Sequence, residues 1–271
     1  KAFKMDGLGN DFVIIDQRTK NIEFSRKQII KICDRNFIGC DQLIIIKKNR
    51  ELDAGLEFYN SDGSTSGACG NGTRCAAYLL SKENNNKEIT VWTASGIIRA
   101  NILKDNLVKT QIGVPKTKWN EIPISENKNT KNLGIKIMDE NNNEHIGGIA
   151  INVGNPHVIF FVESIDNFNI KKIGPTIENN KLFPEKCNVT IAEVINQNLI
   201  KVKVWERGAG QTKACGTAAC ATAVAGNING LTKTSTDIEF ELGRLSIFLD
   251  EKNSIHMKGP VSEIKEIDIK L

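Results

Sequence analysis

Ala68-Cys69-Gly70-Asn71-Gly72-Thr73-Arg74-Cys75-Ala76-Ala77 and Ala214-Cys215-Gly216-Thr217-Ala218-Ala219-Cys220-Ala221 are two versions of one pattern, a cysteine and a glycine leading into small residues and alanine. Alanine is the strongest helix former, so each stretch predicts a helix opening just after its cysteine, over Gly70 to Ser81 and Gly216 to Asn227. The two cysteines lie 146 residues apart. Other short patterns recur in the same order at nearly that offset. Gly9-Asn10-Asp11-Phe12-Val13-Ile14 returns as Gly154-Asn155-Pro156-His157-Val158-Ile159, Cys40-Asp41-Gln42 is echoed by Cys187-Asn188-Val189, and Asn60 has its counterpart in Glu206. Offsets of 145 to 147 across four patterns read as two similar halves of one chain.

The offset exceeds half of the 271 residues, so the halves are not two equal blocks. The expected division is a first domain of residues 1–116 to which the tail 263–271 returns, and a second of residues 117–262. The polar stretch from Lys116 through Asn132 serves as the junction. Strand-like runs are numerous: Phe12 to Asp16, Leu43 to Lys47, Leu56 to Tyr59, Ile97 to Leu103, Ile135 to Met138, His157 to Glu163, Leu199 to Val204, Ile238 to Glu241 and Leu245 to Leu249. Helical candidates are few, with Ser25 to Arg35 as the third. The fold class expected is α+β, and helices this scarce argue against a parallel βαβ sheet.

Composition narrows function. Hydrophobic residues at 40% and charged residues at 25% are ordinary globular values. The longest apolar runs reach strand length, far short of the roughly 18 residues of a spanning helix, so no membrane role is expected. Lys and Arg, 36 against 32 acidic residues, are scattered along the chain, which makes nucleic acid a poor partner. The first residues lack the pattern of an export signal, and the expected location is cytoplasmic. Seven cysteines, an odd number, suit reduced thiols, and their spacing fits no zinc site, so no metal is expected.

A thiol at a helix N-terminus sits beside unpaired backbone N–H groups and the positive end of the helix dipole, which favour thiolate and can cradle a carboxylate. If two such halves pack about a pseudo-two-fold axis, Cys69 and Cys215 flank one cleft from opposite sides. That is the arrangement for a two-base inversion of a stereogenic carbon: one thiolate removes the proton and the opposing thiol returns one to the other face. Cys33, Cys75 and Cys220 read as small buried hydrophobes. Taken singly, His157, Asn10, Asn60, Asn155 and Asn188 could each be structural.

Four motifs, Gly-Leu-Gly-Asn-Asp-Phe at 7–12, Cys-Gly-Asn-Gly-x-Arg-Cys at 69–75, Gly-Asn-Pro-His at 154–157 and Glu-Arg-Gly-x-Gly-x-Thr-x-Ala-Cys-Gly-Thr at 206–217, make the chain resemble the diaminopimelate epimerase family. The resemblance implies two similar α+β domains, each a mainly antiparallel sheet curled around a central helix, in a homodimer that needs no cofactor. It implies interconversion of LL- and meso-diaminopimelate in lysine and cell-wall precursor biosynthesis. By the same resemblance Cys69 and Cys215 are the acid/base pair, supported by His157 and Glu206, the latter suited to the reacting ammonium. Gly70, Asn71, Gly216 and Thr217 offer donors to the carboxylate at the reacting centre. Asn10, Gln42, Asn60, Asn155, Asn188 and Arg207 match positions that bind substrate. Ala218 departs from the pattern, which usually has glycine there, and a positive φ at that residue would shift the helix start. Proline racemase-like enzymes are the neighbouring alternative, and a non-catalytic thiol or metal-binding module is the alternative from another class.

Overall fold

Strands β1 (Ala2–Gly7) and β2 (Asn10–Asp16) form a hairpin whose two-residue turn, Leu8-Gly9, has positive φ at both positions, the conformation that matches the twist of the flanking strands. The chain then passes through α1 (Arg26–Cys33), capped by Ser25 in a capping box with Gln28, and returns as β3 (Gln42–Lys47) parallel to β2. Burial on both faces explains the unbroken apolar runs of these strands. Phe12, Ile14, Ile44 and Ile46 join one core, while Val13, Ile15, Leu43 and Ile45 join another with Ile29 and Ile32 of α1. β4 (Ala54–Asn60) pairs antiparallel with β3, and β5 (Thr65–Ser66) with β4. After α2 (Gly70–Asn84), β6 (Glu88–Thr93) lies parallel to β4, followed antiparallel by β7 (Gly96–Ile102) and β8 (Leu107–Gly113).

The second half begins with a small hairpin, β9 (Ile135–Met138) and β10 (Glu144–Gly147), and then runs through the same succession. β11 (Ile149–Asn152) pairs antiparallel with β12 (Pro156–Val162); α3 (Ile170–Glu178) crosses to β13 (Asn188–Asn196), parallel to β12. β14 (Leu199–Glu206) and β15 (Gly210–Thr212) follow antiparallel. α4 (Gly216–Ile228) leads to β16 (Ser235–Phe240), parallel to β14, and β17 (Gly243–Leu249). β18 (Ile255–Pro260) comes next, and β19 (Lys265–Ile267) pairs antiparallel with β1.

The registers repeat as well as the order. Phe12 opposes Gln42 as His157 opposes Asn188, and Phe58 opposes Ser66 as Val204 opposes Thr212. α2 packs on β1, β2, β3, β6 and β7, and α4 on β11, β12, β13, β16 and β17, the corresponding five strands. Both helices are buried on nearly every side, which small residues such as Ala76, Ala77, Ala219 and Ala221 permit. The fold is thus α+β, two similar domains each with a mainly antiparallel sheet around a central helix. The computed structural model describes residues 1–67, 69–104 and 106–269. Its contacts divide the chain into residues 1–111 with the chain from 258 onward, and residues 112–257. Ala68 of the first cysteine motif and the last two residues of the tail, 270 and 271, lie outside the described residues.

The expectation against a parallel βαβ sheet agrees with the mainly antiparallel pairing, yet among the described residues four pairings are parallel, because each helix is used as a single crossover between neighbouring strands. α3 was not expected at all, since Gly174 and Pro175 interrupt its pattern. Among the described residues no helix is long and apolar enough to cross a membrane.

Candidate active site

Cys69 and Cys215 are the N-caps of the two central helices, with nearly identical backbones, φ/ψ of −137/115° and −139/115°. Each sulfur accepts a hydrogen bond from the third residue of its helix, Gly72 N–H and Ala218 N–H, both at 3.4 Å. Each cap carbonyl takes the next N–H, of Thr73 at 2.8 Å and Ala219 at 3.0 Å. The first N–H groups of each helix, at Gly70 and Asn71 and at Gly216 and Thr217, have no acceptor within the helix, which leaves a donor pair beside each sulfur. Ala218 lies in regular helix without positive φ, so the second helix starts where the first does.

Around Cys69 the first domain gathers amides. Asn10, at the start of β2, donates through Nδ2 to the Asp41 carboxylate at 2.9 Å, which turns its Oδ1 toward Asn71 Nδ2 (3.4 Å) and the Cys69 thiol (3.8 Å). Asn71 is held the same way by the buried Arg74, whose Nη2 donates to its Oδ1 at 2.9 Å. A guanidinium only donates and a carboxylate only accepts, so the two ends fix the direction of both amides. On β3 and β4, Gln42 Nε2 donates to Asn60 Oδ1 at 2.8 Å, and Asn60 in turn to Ser64 Oγ at 3.0 Å. Gln42 Oε1 is buried with no hydrogen-bond partner among the described residues, a costly state for an acceptor that is not completed by a ligand or water.

Around Cys215 the second domain places a different set. His157 on β12 donates from Nε2 to Asn155 Oδ1 at 2.9 Å, and Asn155 Nδ2 reaches Thr217 Oγ1 at 3.4 Å. The Thr217 hydroxyl lies 3.4 Å from Cys215 Sγ. Burial, and next the charge of Arg207, hold the His157 imidazole down to about 3, so it is neutral; its Nδ1 is buried without a hydrogen-bond partner among the described residues. Asn188, on β13, donates to Pro156 O at 3.0 Å and accepts from Arg207 N–H at 3.0 Å. Glu206, the last residue of β14, accepts from the Thr212 hydroxyl. Burial, and next the Glu206 carboxylate, push the Cys215 thiol well above its ordinary range, against the pull of the Thr217 hydroxyl and the Ala218 N–H.

The candidate catalytic and substrate-binding residues divide between the two domains. Cys69, Gly70, Asn71 and Asn10 are contiguous in the first, with Gln42 and Asn60 bonded to each other beside Asp41. Cys215, Gly216, Thr217, Asn155, His157, Asn188, Glu206 and Arg207 belong to the second. Asp41, Arg74 and Thr212 were not singled out, although each stands inside or next to a quoted motif. Charge at a motif position was the available signal for the first two. The remaining cysteines lie elsewhere: Cys33 and Cys40 touch at 3.5 Å in the α1 core, Cys75 and Cys187 are buried among apolar side chains and pushed up by that burial, and Cys220 is buried in α4. No group of three or more His, Cys, Asp or Glu side chains is arranged to hold a metal among the described residues.

Comparison with known proteins adds to this geometry. The family model described as diaminopimelate epimerase matches residues 2–118 and 149–264. The chain is 70% identical over 271 residues to a diaminopimelate epimerase of Pelagibacter ubique, covering 100% of this chain and 99% of that protein. It is 38% identical over 264 residues to one of Acidiphilium cryptum, covering 97% and 94%. Among solved structures, a phenazine biosynthesis protein of the PhzF family from Bacillus anthracis superposes with a TM-score of 0.68 at 15% identity, over 99% of this chain and 98% of that one. A hydroxyproline epimerase from Agrobacterium vitis superposes with a TM-score of 0.67 at 12% identity, over 97% and 90%. At such identities the two structures speak for the fold alone.

Proposed function

The chain belongs to the diaminopimelate epimerase family and is an isomerase, and from that premise we propose that it interconverts LL- and meso-diaminopimelate by a two-base mechanism, with Cys69 and Cys215 as the acid/base pair. The observation that supports this reading most is the pair of matched helix caps, Cys69 and Cys215, each with a sulfur at a helix N-terminus. In the mechanism one sulfur, as thiolate, takes the proton from the α-carbon, and the other, as thiol, delivers one to the opposite face; the roles exchange in the reverse reaction. The carboxylate of the reacting centre is received by the N–H groups of Gly70, Asn71, Gly216 and Thr217, where developing charge on the planar carbanion is best stabilised. Glu206 holds the reacting ammonium. Its charge also favours the protonated form of Cys215, which suits that thiol to the acid step.

Asn10, Gln42, Asn60, Asn155, Asn188 and Arg207 receive the distal amino-acid group. Gln42 Oε1, buried without a partner among the described residues, is an acceptor of the kind an ammonium would complete. Arg207 spends one guanidinium nitrogen on Glu185 O at 2.7 Å and retains donors for a carboxylate. Neutral His157 orients Asn155 and through it Thr217, next to the second sulfur. The domain division at 1–116 with 263–271 and 117–262, a homodimer, a cytoplasmic location and a place in lysine and cell-wall precursor synthesis belong to the same reading.

Incubating LL-diaminopimelate with reduced protein in heavy water, without pyridoxal phosphate, should give the meso isomer with deuterium at the inverted α-carbon. Cys69→Ala and Cys215→Ala should each lower the inversion rate by about 10³-fold or more. Cys33→Ala should leave it near normal. Inversion without solvent deuterium, or full activity in either site variant, would remove the two-base reading.

A further inference from the structure

Glu178 is the last residue of α3, a buried carboxylate in a chain whose other Asp and Glu side chains are mostly at the surface. Its two oxygens are divided between two donors. Oε2 accepts from the Trp205 indole N–H at 2.7 Å, and Oε1 from the Gly208 backbone N–H at 3.1 Å, with Lys186 Nζ 3.7 Å from Oε1 on the solvent side. Trp205 and Gly208 bracket Glu206 and Arg207 in the chain. One turn earlier on the same helix face, Gly174 lies flat against the indole: a Cβ there would come within 2.3 Å of Trp205 Cγ. α3 thus presents an i, i+4 pair, one residue that admits the ring and one that reads its N–H. The rest of the turn is fixed by Asn188, which accepts from Arg207 N–H, and by the Ala209 N–H to Glu206 O bond at 3.1 Å.

We propose that Glu178 is a positioning residue, holding the turn of residues 205–208 so that Arg207 presents its guanidinium to the distal carboxylate of the substrate. The proposal rests on the reading of Arg207 as a substrate contact. The argument is one of valence. Two N–H donors converge on one side chain, and a carboxylate has an oxygen for each; an amide has one oxygen and turns an N–H at the other donor. Glu178→Gln keeps the shape and breaks one of the two bonds, and the bond lost is charge-assisted. Glu206 stays tied by its β14–β15 pairing with Gly210 and by the Thr212 hydroxyl, and both sulfurs keep their caps, so loss of the Gly208 bond displaces Arg207 more than Glu206 and binding suffers more than chemistry.

The test measures steady-state epimerisation together with hydrogen–deuterium exchange of the ligand-free protein. Glu178→Gln should raise KM for diaminopimelate about tenfold and leave kcat within about twofold, the signature of lost binding common to ground and transition states. Amides across 205–212 should exchange faster, and those of α4 should be unchanged. Trp205→Phe, which deletes one donor, should raise KM about threefold, and Glu178→Gln in that background should add little, since one oxygen then suffices for Gly208. Unchanged KM and exchange in Glu178→Gln would overturn the proposal. Equal losses in kcat and in α4 protection would do so too, by showing a general role in folding. If Glu178→Gln does not fold, Trp205→Phe decides alone, and a KM and exchange like the wild type would overturn it. A wild-type protein inactive on diaminopimelate would defeat the substrate reading, while the exchange measurement would still judge the clamp.

Discussion

Cys69 and Cys215 cap their helices with the same backbone and stand in opposite company. The first sulfur is half-buried and faces an amide oxygen, Asn10 Oδ1, in a cluster backed by the Arg74 cation. The second is buried, faces a hydroxyl, and lies beside the Glu206 carboxylate. The two halves share what the backbone does, the placement of a sulfur at a helix N-terminus, and differ in the side chains around it. Where β2 carries Phe12, the equivalent place on β12 carries His157; where β4 ends in Asn60, β14 ends in Glu206. Under the proposed two-base reading the two thiols perform mirror-image steps without being electrostatically alike: carboxylate and burial act on Cys215, amides and a cation surround Cys69.

The sharpest way to break that contrast is to remove the charge from one side. Glu206→Gln eliminates the anion next to Cys215 and leaves the Thr212 contact an oxygen to meet. The expected result is a fall of about 100-fold in kcat/KM, roughly 3 kcal/mol, from losing the partner that the proposed function gives the reacting ammonium. The Cys215 thiol should also ionise at lower pH than in the parent, though still above the ordinary range because burial, the larger cause, remains. Alkylation followed by mass spectrometry at each cysteine reads both effects. A midpoint that moves at Cys69 and stays fixed at Cys215 would mean that the carboxylate does not govern the second sulfur.

The His157 and Phe12 pair offers a second handle, through stability. His157 is held down to about 3 when folded, against about 6.5 when exposed in the unfolded chain. Between those values the unfolded state binds the extra proton, so this group makes stability fall as pH drops from 6.5 toward 3, by up to about 1.4 kcal/mol per pH unit. Above pH 6.5 it contributes no slope. His157→Phe, which writes the first domain's residue into the second, should abolish that portion. Urea unfolding of parent and variant should therefore converge by about 2–3 kcal/mol between pH 6.5 and 4.5. Parallel stability curves over this range would show that the imidazole is not kept neutral by the fold.

How much of this was legible in the sequence follows from which interactions are local. The starts of α2 and α4 could be read because cap, glycine and alanine run are contiguous, and the repeat gave each a check on the other. The repeat also carried the two-domain α+β architecture, since an offset of 146 survives in strand registers as well as in motifs. α3 escaped because its stability comes from one face, Ile170, Ile173 and Ile177, packed on β13 and β14, while Gly174 and Pro175 argue locally against a helix. With α3 unseen, Glu178 was one acidic residue among 32, and nothing local distinguished it. Asp41 and Arg74 were visible as charges, but their work of fixing amide direction is a contact across strands and helix that no spacing encodes.

The smallest and most exacting comparison lies at the third position of each helix, Gly72 against Ala218. Both N–H groups serve their sulfur at the same distance, and neither residue has positive φ, so backbone freedom is not what separates them. Packing is. A Cβ at Gly72 would meet Ile44 Cδ1 at 2.8 Å and the rings of Phe12 and Phe58 at 3.2 Å. The register-equivalent residues of the second domain are Thr190, His157 and Val204, each smaller or slimmer than its counterpart. The strands below α4 have therefore made room for a methyl that those below α2 exclude. Gly72→Ala should cost about 1–3 kcal/mol by overpacking a core with flexible recourse only at Ile44, and it should disturb Cys69 along with the helix it caps. Ala218→Gly should cost about 0.5–1 kcal/mol of helix propensity, a fall of about 1–4 °C in Tm for a chain of this size, with inversion nearly intact. Thermal melts of the two variants side by side measure the difference, and equal costs would show that packing does not separate position 72 from position 218.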